Sequence, residues 1–69
     1  MYVQIGKAQA LQITDIVAVI DHKAYVPAAF VRLLVPVEEV RSFVVTADYT
    51  YGSPYRAQAI VNKIKSGKL

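Results

Sequence analysis

This chain lacks several residue types on which small proteins depend for stability or chemistry. It has no cysteine and no tryptophan, a single histidine, and three glycines among 69 residues. Without cysteine, neither a disulfide nor a thiolate metal site can stabilise the fold. The few glycines form no phosphate-cradling loop, no serine stands in a nucleophile-elbow context, and the acidic residues are too scattered to predict a metal site or an acid–base pair. The sequence therefore predicts neither an enzyme nor a cofactor.

The single histidine adds no catalytic signal. His22 follows Asp21 directly. Neighbouring residues of a strand point to opposite faces, so these two side chains are not expected to touch. The sequence favours an ordinary surface histidine.

Hydrophobic residues are what the chain has in excess. They make up 55% of the sequence and occur in the runs Ile16–Ile20, Val26–Val37 and Phe43–Val45. A domain of this size buries only about 60% of the surface that its unfolded chain exposes, so part of this apolar surface should remain outside the core of one protomer. Such a surplus usually marks a partner surface, and self-association is the common remedy for a small fold without disulfides or metals. We therefore expect a homo-oligomer.

None of these runs is long enough to cross a membrane. A spanning helix needs roughly 18 uninterrupted apolar residues, and the longest apolar stretch here, 24–37, is interrupted by Pro27, Arg32 and Pro36. The start of the chain also lacks the basic and then apolar layout of a signal peptide. The sequence predicts one soluble, cytoplasmic domain over residues 1–69 with no membrane partner.

Charge is distributed unevenly along the chain. The formal net charge is +3, and all acidic residues precede Tyr49. The residues after Tyr49 carry only basic charges, at Arg56, Lys63, Lys65 and Lys68. This asymmetry indicates either an anionic partner such as nucleic acid or a solvated basic tail.

The first third of the chain predicts strands. Met1–Ile5 and residues 8–13 form a hairpin in this interpretation, joined by a two-residue turn at Gly6 and Lys7. Ile16–Ile20 has the length and β-branched content of a strand buried on both faces, and residues 21–23 close it.

The middle of the chain allows two interpretations. Pro27 suits the first turn of a helix, and Pro36 would end it, so we predict a short helix over Ala28–Leu34. The alternative is an extended segment that covers the sheet.

The last third predicts a strand, an extended stretch and a helix. Arg41–Ala47 is the strand, and residues 48–51 turn into a brief second one. Ser53 and Pro54 have the residue types of a helix start, and an apolar stripe then continues to about Lys65. The stripe consists of Ala57, Ile60, Val61 and Ile64. The predicted fold class is α+β, a small and mainly antiparallel sheet with a short middle helix and a C-terminal helix.

Several blocks of the sequence resemble the bacterial extracellular-matrix regulators RemA and RemB, and RemB more closely. They are residues 1–6 (MYVQIG), 14–21 (TDIVAVID), 42–46 (SFVVT) and 51–54 (YGSP). The resemblance implies a small cytosolic protein that assembles into closed rings. For the RemA branch it also implies DNA binding in the regulation of biofilm-matrix genes.

This chain departs from the RemA pattern in two places. RemA-type proteins carry an arginine cluster in the loop before the strand that corresponds to residues 41–47, whereas this chain keeps only Arg41 there. Glu38 and Glu39 stand close by, and their carboxylates would repel phosphate. The middle segment, residues 24–40, also looks shorter than its RemB counterpart.

A ring would multiply weak phosphate contacts, because each protomer repeats the same cations around the assembly. The primary candidates for nucleic-acid binding are Arg56, Lys63, Lys65 and Lys68, with Arg32 and Arg41 secondary. For each of them the alternative is a solvated surface charge.

Aromatic and apolar residues supply the candidate oligomer interface: Tyr49, Tyr51, Tyr55, Phe30 and Leu34. The tyrosines suit packing between subunits, and the alternative is stacking on exposed bases. Two functions follow: a ring-forming regulator that binds DNA through backbone phosphates without base readout, and a ring-forming scaffold that binds no DNA and acts beside a RemA-type partner.

Overall fold

The computed structural model describes residues 1–24 and 31–66. Within these ranges the chain is an α+β protein with six strands, two short 3-10 helices and one α-helix. The elements are β1 (Tyr2–Gln4), β2 (Ala10–Gln12), a 3-10 turn (Ile13–Asp15), β3 (Ile16–Asp21), β4 (Val31–Leu33), a 3-10 turn (Val37–Glu39), β5 (Ser42–Thr46), β6 (Thr50–Ser53) and α1 (Ala57–Ser66).

The predicted N-terminal hairpin is confirmed, with a longer loop. β1 and β2 pair antiparallel, with Val3 opposite Leu11, and the Ile5 amide donates to the Gln9 carbonyl at 2.9 Å. Three residues, 6–8, therefore form the loop instead of the predicted two-residue turn. This register lets Val3 and Leu11 pack against the same core, which a one-residue slip would prevent.

The remaining strands form one mixed sheet in the order β3-β5-β6-β4. β5 pairs antiparallel with both β3 and β6, whereas β4 runs parallel to β6. The predicted strand over residues 16–20 is confirmed, but its burial on both faces is wrong, since Val17 is 69% exposed. The cause is the irregular pairing of β3 with β5 between Ile16 and Ala18, which interrupts the alternation of side chains at Val17.

The predicted middle helix is wrong over its described part. Val31–Leu33 form strand β4, and the Leu34 amide donates to the Gly52 carbonyl at 3.0 Å. The extended alternative describes these residues better, although they extend the sheet instead of covering it. Backbone pairing with β6 outweighs the local preference that the prolines suggested. The first part of the predicted helix, residues 28–30, lies outside the described residues and includes Phe30.

A close approach of neighbouring side chains explains the glycine in β6. Gly52 is paired with Leu33 of β4 and Phe43 of β5. A Cβ atom at this position would lie 2.7 Å from Leu33 Cδ2 and 3.2 Å from Val40 Cγ2. Gly52 therefore allows the neighbouring side chains to close over the strand.

The C-terminal helix is confirmed but begins later than predicted, at Ala57 instead of at Ser53 and Pro54. Ser53 is fully buried at the end of β6, and its hydroxyl donates to the Ile5 carbonyl at 2.6 Å and accepts from the Tyr55 amide at 3.0 Å. The hydroxyl that was expected to cap the helix instead joins β6 to the hairpin. The helix ends at Ser66, one residue beyond the predicted Lys65, and Gly67 lies outside the described residues.

The core lies where α1 packs against the hairpin and the sheet. Its centre is formed by Val3, Ile5, Val44 and Ile60. The predicted stripe on α1 is confirmed: Ile60 is fully buried, and the other three residues of the stripe are half-buried. The helix packs near β1 and β3, and β4 forms the far edge of the sheet. No helix among the described residues is long and apolar enough to span a membrane.

Candidate nucleic-acid interface

Three separate segments bring basic side chains together at one end of the β3–β5 pair. Antiparallel pairing sets Asp21 opposite Ser42, so the turn after β3 lies beside the residue that precedes β5. The Arg41 amide donates to the Ser53 carbonyl at 2.8 Å, which adds the end of β6 and the chain entering α1. An open groove of about 440 Å³ forms there, lined by Asp21, His22, Lys23, Arg41 and Arg56, and is called the basic groove below.

The groove is cationic because it holds more basic than acidic side chains, and among the described residues the basic ones form no ion pair with a carboxylate. Lys23, Arg41 and Arg56 are exposed and face one carboxylate, that of Asp21. Asp21 Oδ1 accepts from the Lys23 backbone amide at 2.8 Å, so this carboxylate is engaged by the turn. Within residues 1–24 and 31–66, none of the three cations forms an ion pair with a carboxylate. Their donors are therefore available to an anion.

His22 connects the turn to the strand opposite. Its backbone amide and its Nδ1 atom both contact the Arg41 carbonyl, at 3.2 and 3.0 Å, and Nδ1 lies 3.4 Å from Asp21 Oδ1. The expectation that Asp21 and His22 do not touch is therefore wrong. It assumed a continuing strand, whereas His22 lies in the turn, where side chains no longer alternate between faces.

The other predicted cations lie away from the groove. Lys63 Nζ lies 4.4 Å from the centre of the Tyr55 ring, and the Arg32 guanidinium lies 4.4 Å from the centre of the Tyr49 ring. Lys65 is exposed in the last turn of α1, and Lys68 lies outside the described residues. Of the five predicted nucleic-acid residues that the structure describes, only Arg41 and Arg56 come together.

The predicted tyrosine cluster divides into two places. Tyr49 and Tyr51 pack edge to face with their ring centres 6.3 Å apart, and Arg32 covers Tyr49. Tyr51 and Tyr55 are half-buried and pack against the protomer's own core, as does Leu34. Tyr49 keeps 41% of its surface exposed, so among Tyr49, Tyr51 and Tyr55 it has the most area left for a partner.

The end of the β3–β5 pair opposite the groove has different chemistry. The exposed residues Asp15 and Asp48 lie there together with Val17 and Tyr49, around a shallow surface that is called the acidic depression below. The turn that forms it is held by Thr46, whose hydroxyl donates to the Tyr49 carbonyl at 2.8 Å and accepts from the Tyr49 amide at 3.0 Å.

Sequence reasoning missed Lys23 and His22 as members of the site. Neither belongs to the basic C-terminal quarter, and Lys23 is followed by an apolar stretch. One signal was present: antiparallel pairing of the two predicted strands 16–20 and 41–47 would place the residues after the first beside those before the second.

The described residues offer no alternative metal site, because no group of three or more histidine, aspartate or glutamate side chains lies close enough together to hold an ion. The basic groove, with three exposed cations and one carboxylate, is suited to an anion.

Comparison with protein-family models, with curated proteins and with solved structures gave no match. The resemblance to RemA and RemB stays a prediction.

Proposed function

We propose that this chain is a ring-forming, cytoplasmic bacterial regulator of the RemA/RemB type, associated with biofilm-matrix gene expression. In this proposal it binds double-stranded DNA through backbone phosphates and does not read bases. The observation that carries the DNA part is the basic groove, where Lys23, Arg41 and Arg56 converge without a carboxylate partner among the described residues.

Phosphate is the anion that these side chains suit. An arginine presents a planar set of donors that matches phosphate oxygens, and a lysine adds a point charge. Such contacts position a protein on a duplex and carry no direct sequence information. Because the residues of the groove lie at a strand end, in a turn and in segments between elements, backbone contact is favoured over insertion into the major groove.

Affinity would come from repetition around a ring. Three cations per protomer release few counterions, so one protomer alone would bind DNA weakly at physiological salt. Copies held in one assembly bind the same duplex together, so the assembly binds DNA more tightly than one protomer does.

Two features support the assembly. Large apolar side chains remain exposed on the single protomer: Met1, Tyr2, Val17, Leu33, Val37 and Tyr49. In addition, β3 and β4 lie at the two edges of the sheet, and sheet edges with exposed apolar residues are ready surfaces for a further strand. A second copy would cover both features.

A scaffold that binds no DNA is the second candidate, and specific charges favour it. Asp21 lies inside the basic groove, and Glu38 and Glu39 are exposed a few residues before Arg41. These carboxylates would weaken phosphate binding and would suit a cationic protein partner, such as a RemA-type protein.

Two measurements on the purified chain decide between these functions. Light scattering should give a mass several times the 7.6 kDa of one chain, and a larger mass again when duplex DNA is added. Fluorescence anisotropy of a labelled duplex should show log affinity falling linearly with log salt between about 50 and 200 mM, with a slope of several units. A duplex of scrambled sequence should bind equally well.

The outcomes separate the parts of the proposal. No anisotropy change at about 50 mM salt, where phosphate contacts are strongest, would leave the scaffold. A mass of one chain at micromolar concentration would remove the ring and with it the multiplied charge.

A further inference from the structure

The imidazole of His22 has a defined proton arrangement in the basic groove. Its Nδ1 atom lies 3.0 Å from the Arg41 carbonyl oxygen, which can only accept, so Nδ1 carries a hydrogen. In a neutral ring the other nitrogen, Nε2, then has a lone pair and no hydrogen. A phosphate oxygen is also an acceptor, so the neutral ring offers it no hydrogen bond at Nε2. Protonation converts Nε2 into a donor and adds a positive charge.

The charged groups around His22 are known for the described residues. Asp21 and Lys23 face it from its own turn, Arg41 from the segment before β5, and Arg56 from the segment before α1. Between pH about 5.5 and 8, imidazole is the one side-chain type among these that ordinarily changes charge. A pH effect on the groove in this range would therefore originate at His22.

We propose that His22 makes phosphate binding in the basic groove dependent on pH, with the protonated imidazole acting as a fourth cationic contact. This inference rests on the proposed function, since it concerns the same groove. The protonated form binds phosphate better, so affinity is highest below the pH at which an imidazole titrates and falls as the pH rises through it. Repetition of the groove in an assembly would make the response steeper.

The test measures duplex DNA affinity by anisotropy at several pH values. The wild-type chain should bind at least about tenfold more tightly at pH 5.5 than at pH 8, and its salt slope should be larger at the lower pH by about 0.9 per protomer in contact. The control is His22→Asn, whose neutral side-chain amide can still donate to the Arg41 carbonyl. Its affinity should change less than about twofold over the same range.

A second measurement does not depend on any variant. His22 is the only histidine, so its ring Cε1 proton gives one assignable NMR signal. Adding a short DNA duplex should move the titration midpoint of this signal to higher pH, because bound phosphate favours the protonated ring. The inference is overturned if the midpoint stays unchanged, or if His22→Asn retains the pH dependence of the wild-type chain. DNA binding that is tight but independent of pH would overturn this inference and leave the proposed function intact, whereas no binding at any pH would overturn the proposed function itself.

Discussion

The two ends of the β3–β5 pair are built from the same two strands but differ in charge and in how they are held. The basic groove collects cations from three segments, and the acidic depression pairs two carboxylates with exposed Val17 and Tyr49. The strands between them are about 17 Å long. A chain with a small net charge can thus present a basic and an acidic surface at opposite ends of one strand pair.

The two ends of the strand pair suit different kinds of contact. The apolar area of the acidic depression is better suited to contact with protein, because exposed valine and tyrosine gain from being covered. The basic groove has few apolar atoms to bury and is better suited to an anion. The predictions below test whether the two ends act independently.

The largest expected effect is the loss of DNA binding on charge reversal in the groove. Arg41→Glu should weaken duplex binding about 100-fold at low salt, because each protomer loses one cation and gains a repelling carboxylate. The matched control is Arg32→Glu, which makes the same charge change at an exposed arginine that lies on Tyr49 instead of in the groove. Anisotropy titrations measure both. Equal losses in the two variants would show that overall charge, and not the groove, governs binding.

The next effect concerns assembly. Val17→Lys should reduce the mass measured by sedimentation velocity to that of smaller species, because a lysine on an edge strand opposes strand addition. Val37→Lys is the comparison, since Val37 is exposed to a similar extent, 67% against 69%, but lies in a 3-10 turn instead of in a strand. An equal drop in mass in this variant would show that exposed apolar area in general, and not the edge of β3, drives assembly. If both variants assemble like the wild-type chain, the outer edge of β3 is not an interface between copies.

A smaller effect should follow from removing the hydroxyl that joins β6 to the hairpin. Ser53→Ala leaves the Ile5 carbonyl and the Tyr55 amide without their partner in a buried place. The free energy of unfolding in urea should fall by about 1 to 3 kcal/mol. Ser66→Ala removes an exposed hydroxyl that donates to the Asn62 carbonyl and should change it by less than about 0.5 kcal/mol. A loss in Ser53→Ala no greater than in this control would contradict the proposed role of the hydroxyl.

The smallest effect is expected at the acidic depression. Arg32→Ala removes the guanidinium from the Tyr49 ring, a contact between exposed side chains, and should lower the free energy of unfolding by at most about 1 kcal/mol. DNA affinity should stay within about twofold of wild type, because phosphate contact is assigned to the other end. A loss of DNA binding in this variant would contradict the assignment of phosphate contact to the basic groove alone.

Much of the fold followed from local patterns. The hairpin, β3 and β5 were predicted at nearly their observed positions, and so was the apolar stripe of α1 around Ile60. The brief strand predicted at residues 48–51 lies two residues later, at Thr50–Ser53. The site was predicted less well. Arg41 and Arg56 were named, but their proximity depends on the β3–β5 register and on the bond between the Arg41 amide and Ser53. Lys23 and His22 were missed because nothing in their own neighbourhood distinguishes them from an ordinary turn.

The sequence was enough to assign strands and helix wherever an apolar repeat of two or of three to four residues is strong, since that repeat sets which face can be buried. It also determined that more apolar surface exists than one small protomer can cover. Three features became visible only in the folded chain: Val31–Leu33 pair with β6, Ser53 ends a strand instead of capping α1, and cations from three segments share one groove. The reason is that each of these outcomes depends on a partner distant in the chain, and a distant partner leaves no periodic signal in the local sequence.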